Sequence, residues 1–463
     1  MYNRSQHLHF IGIGGVGMAG IAEILLNLGY SISGSDARSG HLVEHLSSLG
    51  AKIAIGHAPE NLLPETSVVV YSSAVKDDNQ EMIAAREKGI PVIRRAEMLA
   101  ELMRMKYGLA IAGSHGKTTT TSMTGKLLAD AGYDPTVIVG GKVKSASSGA
   151  LLGHGDFMVT EADESDGSFL LLRPAIAVVT NIDFEHMTHY GSFAQLEKSF
   201  REFMESVPFY GLVIACFDDP VVRRLCQNFP RRVMSYGLST ECDLSAGNIE
   251  TSGEGSEYDV TFQGQPLGRF FLPVPGVHMV KNSLAAIAAG IELGVFADEM
   301  RQSLASFPGV ARRLEMLYQS EQAMVIDDYG HHPTEIRATL DAVRRAYGKE
   351  RRIVTVFQPH RYTRTQELFA EFLESFSVTD VLLVTDVYSA GEERIAAVEA
   401  DKLVQAIVHG ESFYSGDLEQ TFSHLLEIFR PGDIVVSLGA GSITMLGHRF
   451  ASWLSSEAES REV

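Results

Sequence analysis

Leu8-His9-Phe10-Ile11-Gly12-Ile13-Gly14-Gly15-Val16-Gly17 is an apolar run that breaks into a glycine turn, and an apolar stretch of helical spacing, 16–28, follows at once. The physical reading is a buried strand, a turn whose backbone can approach a ligand, and a helix whose N-terminus faces that ligand. Gly12, Gly14 and Gly17 satisfy G-x-G-x-x-G, and Asp36 follows at the end of the next strand. In that register the turn holds a diphosphate, whose charge the helix N-terminus stabilises. The glycines alone do not decide between NAD and a nucleotide sugar.

Outward from this unit, strand-like and helix-like segments alternate along the chain, which predicts an α/β fold with parallel sheets. Strands read at 68–71 and 91–93, and a charged helical stretch, 94–106, leads to a new strand at 108–112. The first domain boundary falls there. Further strands read at 157–160, 175–180 and 212–215, a polar stretch at 239–268 reads as hairpins, and an Ala-rich helix follows at 282–294. Phe307-Pro308-Gly309-Val310 reads as a hinge ending in Arg312-Arg313, beyond which strands recur at 323–326, 353–357, 381–385 and 434–438. The expected domains are 1–106, 107–313 and 314–463, with the last dozen polar residues fraying.

A second glycine turn opens the middle region: Ala112-Gly113-Ser114-His115-Gly116-Lys117-Thr118-Thr119-Thr120. Backbone N–H groups of such a loop cradle phosphates, Lys117 reaches the β- and γ-phosphates, and Thr118 is placed to ligate Mg²⁺. The loop departs from G-x-x-x-x-G-K-[ST] because Ile111 stands where the first glycine belongs. Carboxylates that complete a metal site follow in Glu161-Ala162-Asp163-Glu164-Ser165-Asp166, with Glu161 favoured because it ends an apolar strand. Asp183, Glu185 and His186 end the next strand, on the same expected rim as Lys117 and Glu161.

The 463 residues are about three times the ~150 of a typical domain. Lys and Arg number 39 and Asp and Glu 58, a net charge of −19, which repels polyphosphate and argues against nucleic acid or an anionic membrane as partner. Three cysteines without C-x-x-C spacing point to a reducing compartment. No signal-peptide pattern and no apolar run of the ~20 residues a bilayer needs is present, so the expectation is a cytoplasmic chain.

The motifs Gly12-Ile-Gly-Gly-Val-Gly-Met18-Ala-Gly20-Ile-Ala22, Ala112 to Thr121, Glu161 to Asp166 and Asp327-Asp-Tyr-Gly-His-His-Pro-Thr334 together resemble the Mur ligases, in the family's order, from about residue 8 to 447. The resemblance implies three domains: a Rossmann-like N-terminal domain that binds a UDP-sugar, a central P-loop ATPase α/β domain and a Rossmann-like C-terminal domain. It implies ATP and Mg²⁺ as cofactors, UDP-N-acetylmuramate and L-alanine as substrates, an acyl-phosphate intermediate, and a monomer or weak homodimer. By matching positions it puts Gly12, Gly14, Gly15, Gly17, Asp36 and Ser72 on the UDP-sugar. Gly113, Ser114, His115, Gly116, Lys117, Thr118, Thr119, Asn282, Arg313 and Asp328 fall on ATP, with Asn282 at the adenine, and Thr118, Glu161 and His186 on Mg²⁺. Lys117, Glu161, His186, Arg313, Asp328, His331 and His360 are the implied catalytic set, and Gln358-Pro-His360-Arg361-Tyr362-Thr-Arg364 resembles the segment that closes over amino acid and phosphate.

Two departures stand out. Met279 occupies a position where the family usually carries Asn, and Ser114 replaces a common Thr. Lys198 lies near the place of a carbamylated lysine in several relatives and reads as an ordinary surface lysine. Other readings are a ligase that recycles a tripeptide onto UDP-muramate, an NAD-dependent dehydrogenase resting on the first turn alone, and a nucleotide-gated binding protein without catalysis.

Overall fold

The computed structural model describes residues 6–72, 74–139, 150–348, 350–408 and 410–462. The chain divides into two compact units. Unit 1 is Met1–Gly247, Val260–Gly268 and Lys281–Pro308, and unit 2 is Asn248–Asp259, Arg269–Val280 and Gly309–Val463.

Unit 1 carries two sheets. The first is wholly parallel, with strands β1 (His7–Ile11), β2 (Ser31–Asp36), β3 (Lys52–Ile55), β4 (Thr66–Tyr71) and β5 (Val92–Arg94) in the order β3-β2-β1-β4-β5. The order reverses beside β1, which opens a crevice at the strand ends just where the first glycine turn begins. Helix Val16–Asn27 packs Met18, Ala19, Ile21, Ala22 and Leu25 into the core, where burial of Met18, Ile21 and Leu25 contributes about 1.5–3 kcal/mol each. Within the same domain lies a polar network. His9 and His7 meet Ser33 Oγ at 2.8 and 2.7 Å, and Glu81 accepts from Ser35 at 2.6 Å, Asn61 at 2.5 Å and the Ala58 N–H at 3.1 Å.

The second sheet includes β6 (Tyr107–Ala112), β7 (Thr136–Ile138), β8 (Ala150–Leu151), β9 (Phe157–Glu161), β10 (Ile176–Val179), β11 (Leu212–Cys216), β12 (Val233–Gly237) and β13 (Leu244–Ser252), in the order β13-β12-β11-β10-β6-β9-β7-β8. Strands β10 and β11 are buried along their whole length and β6 from its second residue on, as a parallel sheet covered on both faces requires. Strands β14 (Gly255–Phe262) and β15 (Gln265–Leu272) follow, so the polar stretch does form hairpins.

In unit 2, β16 (Glu315–Gln319), β17 (Ala323–Asp328), β18 (Ile353–Phe357), β19 (Val381–Thr385), β20 (Glu411–Gly416) and β21 (Asp433–Leu438) take the order β16-β17-β21-β18-β19-β20, parallel except for β16. Helix Ile443–Glu462 runs into the polar last dozen residues, and Ile443, Leu446, Phe450 and Leu454 at helical spacing join it to the core. Cys216 and Cys242 are buried and Cys226 half-buried, all as free thiols. Burial pushes the Cys226 thiol up to about 12 and that of Cys242 up to about 11. No helix among the described residues is long and apolar enough to cross a membrane.

Candidate active site

The first glycine turn joins β1 to helix Val16–Asn27. Gly12, at φ 77°, donates its N–H to Ser35 O at 2.8 Å, and a side chain there would come within 3.3 Å of Ser72 Cβ. Ser72 in turn donates its N–H to Ile11 O at 3.2 Å. Gly14 donates to Asp36 Oδ2 at 2.8 Å, so Asp36 braces the turn. Arg95, which the sequence reading absorbed into a charged helix, lies over the opening turn of helix Val16–Asn27: a Cβ on Gly17 would be 3.1 Å from its Nη1. Among the described residues this half-buried guanidinium has no hydrogen bond or ion pair. No spacing rule marks Arg95, because the contact joins elements far apart in the chain.

The second turn leaves β6 at the middle of its sheet and is stitched to the segment after β10. The Ser114 N–H donates to Asn181 O at 3.1 Å, His115 N–H to Asn181 Oδ1 at 2.8 Å, and Asp183 N–H to Ser114 Oγ at 2.9 Å. Thr180 and Asn181 side chains both donate to His115 O. A serine at 114 is therefore sufficient for the contact its hydroxyl makes. Gly116 adopts φ 83° as the N-cap of helix Lys117–Asp130, and a Cβ there would lie 2.5 Å from Asn282 Oδ1. The left-handed conformation and the close carboxamide both call for glycine. Thr118 is half-buried and Thr119 buried in the first turn of that helix.

Lys117 does not reach into open space. Its Nζ donates to Glu164 Oε2 and Oε1 at 2.8 and 2.9 Å and to Gly113 O at 2.6 Å. Burial works against this ammonium, but Glu164, Asp163 and Glu185 outweigh it and hold it above the ordinary lysine value. Burial likewise opposes the Glu164 charge, and Lys117 and His186 outweigh it and hold the carboxyl low. His186, at φ 60°, brings Nε2 to 3.6 Å from Glu164 Oε1 and 3.7 Å from Glu185 Oε2. Glu164, Glu185 and His186 offer ligand atoms all within 4.8 Å of one another, a carboxylate-rich set suited to a hard cation. Glu161 ends β9, in register with Ile111 of β6. The sequence reading weighted Glu161, yet the carboxylate that meets Lys117 is Glu164.

Asn282 does not open the Ala-rich helix, as the expected range 282–294 has it, but lies inside it, since the helix runs Val277–Glu292. Buried Met279 and Val280 extend its apolar face upstream. Met279 is a core contact. Lys198 is exposed and pairs with Glu202 at 3.9 Å, as read.

Unit 2 gathers its own cluster at the ends of β17, β18 and β21. Asp328 accepts N–H bonds from Leu314 and Gly330, both at 2.8 Å, and burial pushes its carboxyl up to about 6. Arg313 pairs with Glu335 at 3.2 Å and stacks on Tyr329, 5.1 Å to the ring centre. His331 and His360 have ring centres 5.8 Å apart, and His360 stacks on Tyr388 at 5.5 Å with planes 9° apart. Arg364 Nη1 donates to His360 O at 3.2 Å, and Arg361 is held at φ 70°. Tyr388 carries no motif and was not legible in the sequence; it arrives through the bridge His360↔Tyr388.

Two glycine turns, each leading from a parallel strand into a helix N-terminus, the second followed by a half-buried lysine against an acidic rim, have the form of a nucleotide-using α/β enzyme. Residues 7–107 match the profile of the Mur ligase family, catalytic domain, residues 111–290 that of the Mur ligase middle domain, and residues 312–441 that of the Mur ligase, glutamate ligase domain. The chain belongs to the Mur ligase family. It is similar to the UDP-N-acetylmuramate--L-alanine ligases of Syntrophotalea carbinolica, 49% identical over 98% of this chain and 99% of the relative, and of Sorangium cellulosum, 52% identical over 95% and 94%. Among solved structures it is similar to the UDP-N-acetylmuramate-alanine ligase MurC of Thermotoga maritima, with TM-score 0.81 and 26% identity over 97% of this chain and 99% of that one. A murein peptide ligase of Psychrobacter arcticus shares the fold at TM-score 0.67 and 23% identity, over 97% and 98%.

Proposed function

We propose that this chain is an ATP-dependent ligase that joins L-alanine to the carboxylate of UDP-N-acetylmuramate, releasing ADP and phosphate, as a step of peptidoglycan precursor synthesis in the cytoplasm. Its likeness along nearly the whole length to relatives of that name carries the reading, and a half-buried Lys117 at the head of a phosphate-cradling helix supports it. In the first step a muramate carboxylate oxygen attacks the γ-phosphorus, and the bond to the ADP oxygen breaks. In the second the alanine amine nitrogen attacks the acyl carbon, phosphate leaves with its oxygen, and the nitrogen gives up its extra proton.

The backbone of Gly12, Gly14, Gly15 and Gly17, with Ser72, receives the UDP-sugar diphosphate; Asp36 holds the turn that does so. Gly113 to Thr119 receive the ATP phosphates, with Lys117 polarising the γ-phosphoryl group by charge and position. Thr118, Glu161 and His186 fit Mg²⁺ by donor type, and the cation would supply charge stabilisation of the transferring phosphoryl group. In unit 2, His331, His360, Arg361 and Arg364 present the basic, aromatic surface for amino acid and phosphate, and Arg313 and Asp328 serve the nucleotide.

The expected outcome is that purified chain with Mg²⁺, ATP and UDP-N-acetylmuramate releases phosphate only once L-alanine is added. Release that depends instead on a tripeptide would assign the chain to the recycling ligases. Hydride transfer to NAD without ATP would assign it to the dehydrogenases.

A further inference from the structure

We infer that Glu164 is an exchange ligand: it holds Lys117 while the nucleotide is away, and passes to the divalent cation when phosphate takes the lysine. The inference rests on the ATP-binding reading above and adds to it a residue and an order of events. Four acceptors saturate the Lys117 ammonium: both Glu164 oxygens, Gly113 O and Ser114 O. A triphosphate that engages this lysine must therefore displace the carboxylate, which is the acceptor with a mobile side chain. Glu164 cannot then stay unpaired, because its side chain is only 1% exposed and a buried lone carboxylate is strongly disfavoured.

The geometry offers it one nearby role. Its Oε1 already lies 3.6 Å from His186 Nε2, and Glu185 completes a set of ligand atoms within 4.8 Å. The Tyr190 hydroxyl donates to Glu164 O at 2.5 Å and anchors the backbone, so a side-chain rotation is sufficient for the exchange. His186 is held at φ 60°, a conformation costly for a non-glycine residue and common where side-chain aim matters. Nucleotide and cation are thereby coupled: each removes the partner that obstructs the other.

The test measures ADP binding by calorimetry with and without Mg²⁺. In Glu164→Gln, ADP alone is expected to bind about tenfold or more tightly than to the parent chain, and the gain on adding Mg²⁺ to shrink by about the same factor. Asp163→Asn removes a charge from the same loop, one that also acts on Lys117, and is expected to shift ADP binding by less than about threefold. Equal shifts in the two variants would reduce the effect to bulk charge and overturn the inference. Should Glu164→Gln fail to fold, Lys117→Met decides: nucleotide-free chain is expected to bind Mn²⁺ about tenfold more tightly by paramagnetic resonance, and unchanged Mn²⁺ affinity would overturn it. A parent chain that binds no ADP in the presence of Mg²⁺ would instead remove the ATP-binding reading itself.

Discussion

His360 shows how a single residue reports its surroundings. Burial first, then Arg364 and Arg361, push its imidazole down to about 4, whereas an unfolded histidine takes its proton near ~6.5. Between those two values the unfolded chain binds a proton at this ring and the folded chain does not, so stability falls as pH drops from about 6.5 to about 4. His360→Gln is expected to flatten that part of the curve of urea midpoint against pH. Parallel curves for variant and parent would show that His360 is not excluded from protonation by folding. The same low value keeps the ring neutral at neutral pH, as an acceptor or proton carrier beside His331 and Arg364. The position of His360 in its motif was legible in the sequence, as were Arg361 and Arg364 beside it; its neutrality was not, because the largest cause is burial, which only the packing of the fold decides.

At the scale of elements, the glycine turns and the strands before them were readable because an apolar run followed by positive-φ glycine has few other uses. Edge strands were not: β3 (Lys52–Ile55) and β20 (Glu411–Gly416) are short and largely solvent-facing, so neither offers a run of buried apolar residues to read. Glu164 and Glu161 lie in one acidic run, and spacing does not say which bends back to Lys117. That is decided by a tight turn in which Asp163 Oδ1 accepts the Ser165 N–H at 3.0 Å. The polar network beneath the first sheet was also unreadable, since His9, Ser35 and Glu81 come from separate elements. Glu81→Ala strands the buried donors of His9 and Ser35, and is expected to lower unfolding free energy by roughly 2–4 kcal/mol. A loss under ~0.5 kcal/mol, the range of an ordinary surface change, would contradict this account of the network.

For the molecule as a whole, unit 1 carries two glycine turns that open from different sheets, and the proposed function gives each its own anionic ligand. Hydrogen exchange is expected to separate them. UDP-N-acetylmuramate alone should slow amides of 12–18 and 35–36, while ADP with Mg²⁺ should slow 113–121 and leave the first turn at its original rate. Slowing of both stretches by either ligand alone would show the two turns to be one cooperative site. On a chain with a net charge of −19, the proposed anion sites at these turns would be local exceptions to an anion-repelling exterior. The three native thiols bear on how such a chain can be watched: with two of them enclosed and the third titrating near 12, little native thiolate forms at neutral pH. A single cysteine engineered onto the surface would then take a fluorophore with little background labelling, which opens the catalytic cycle to single-molecule observation without first stripping out the native sulfurs.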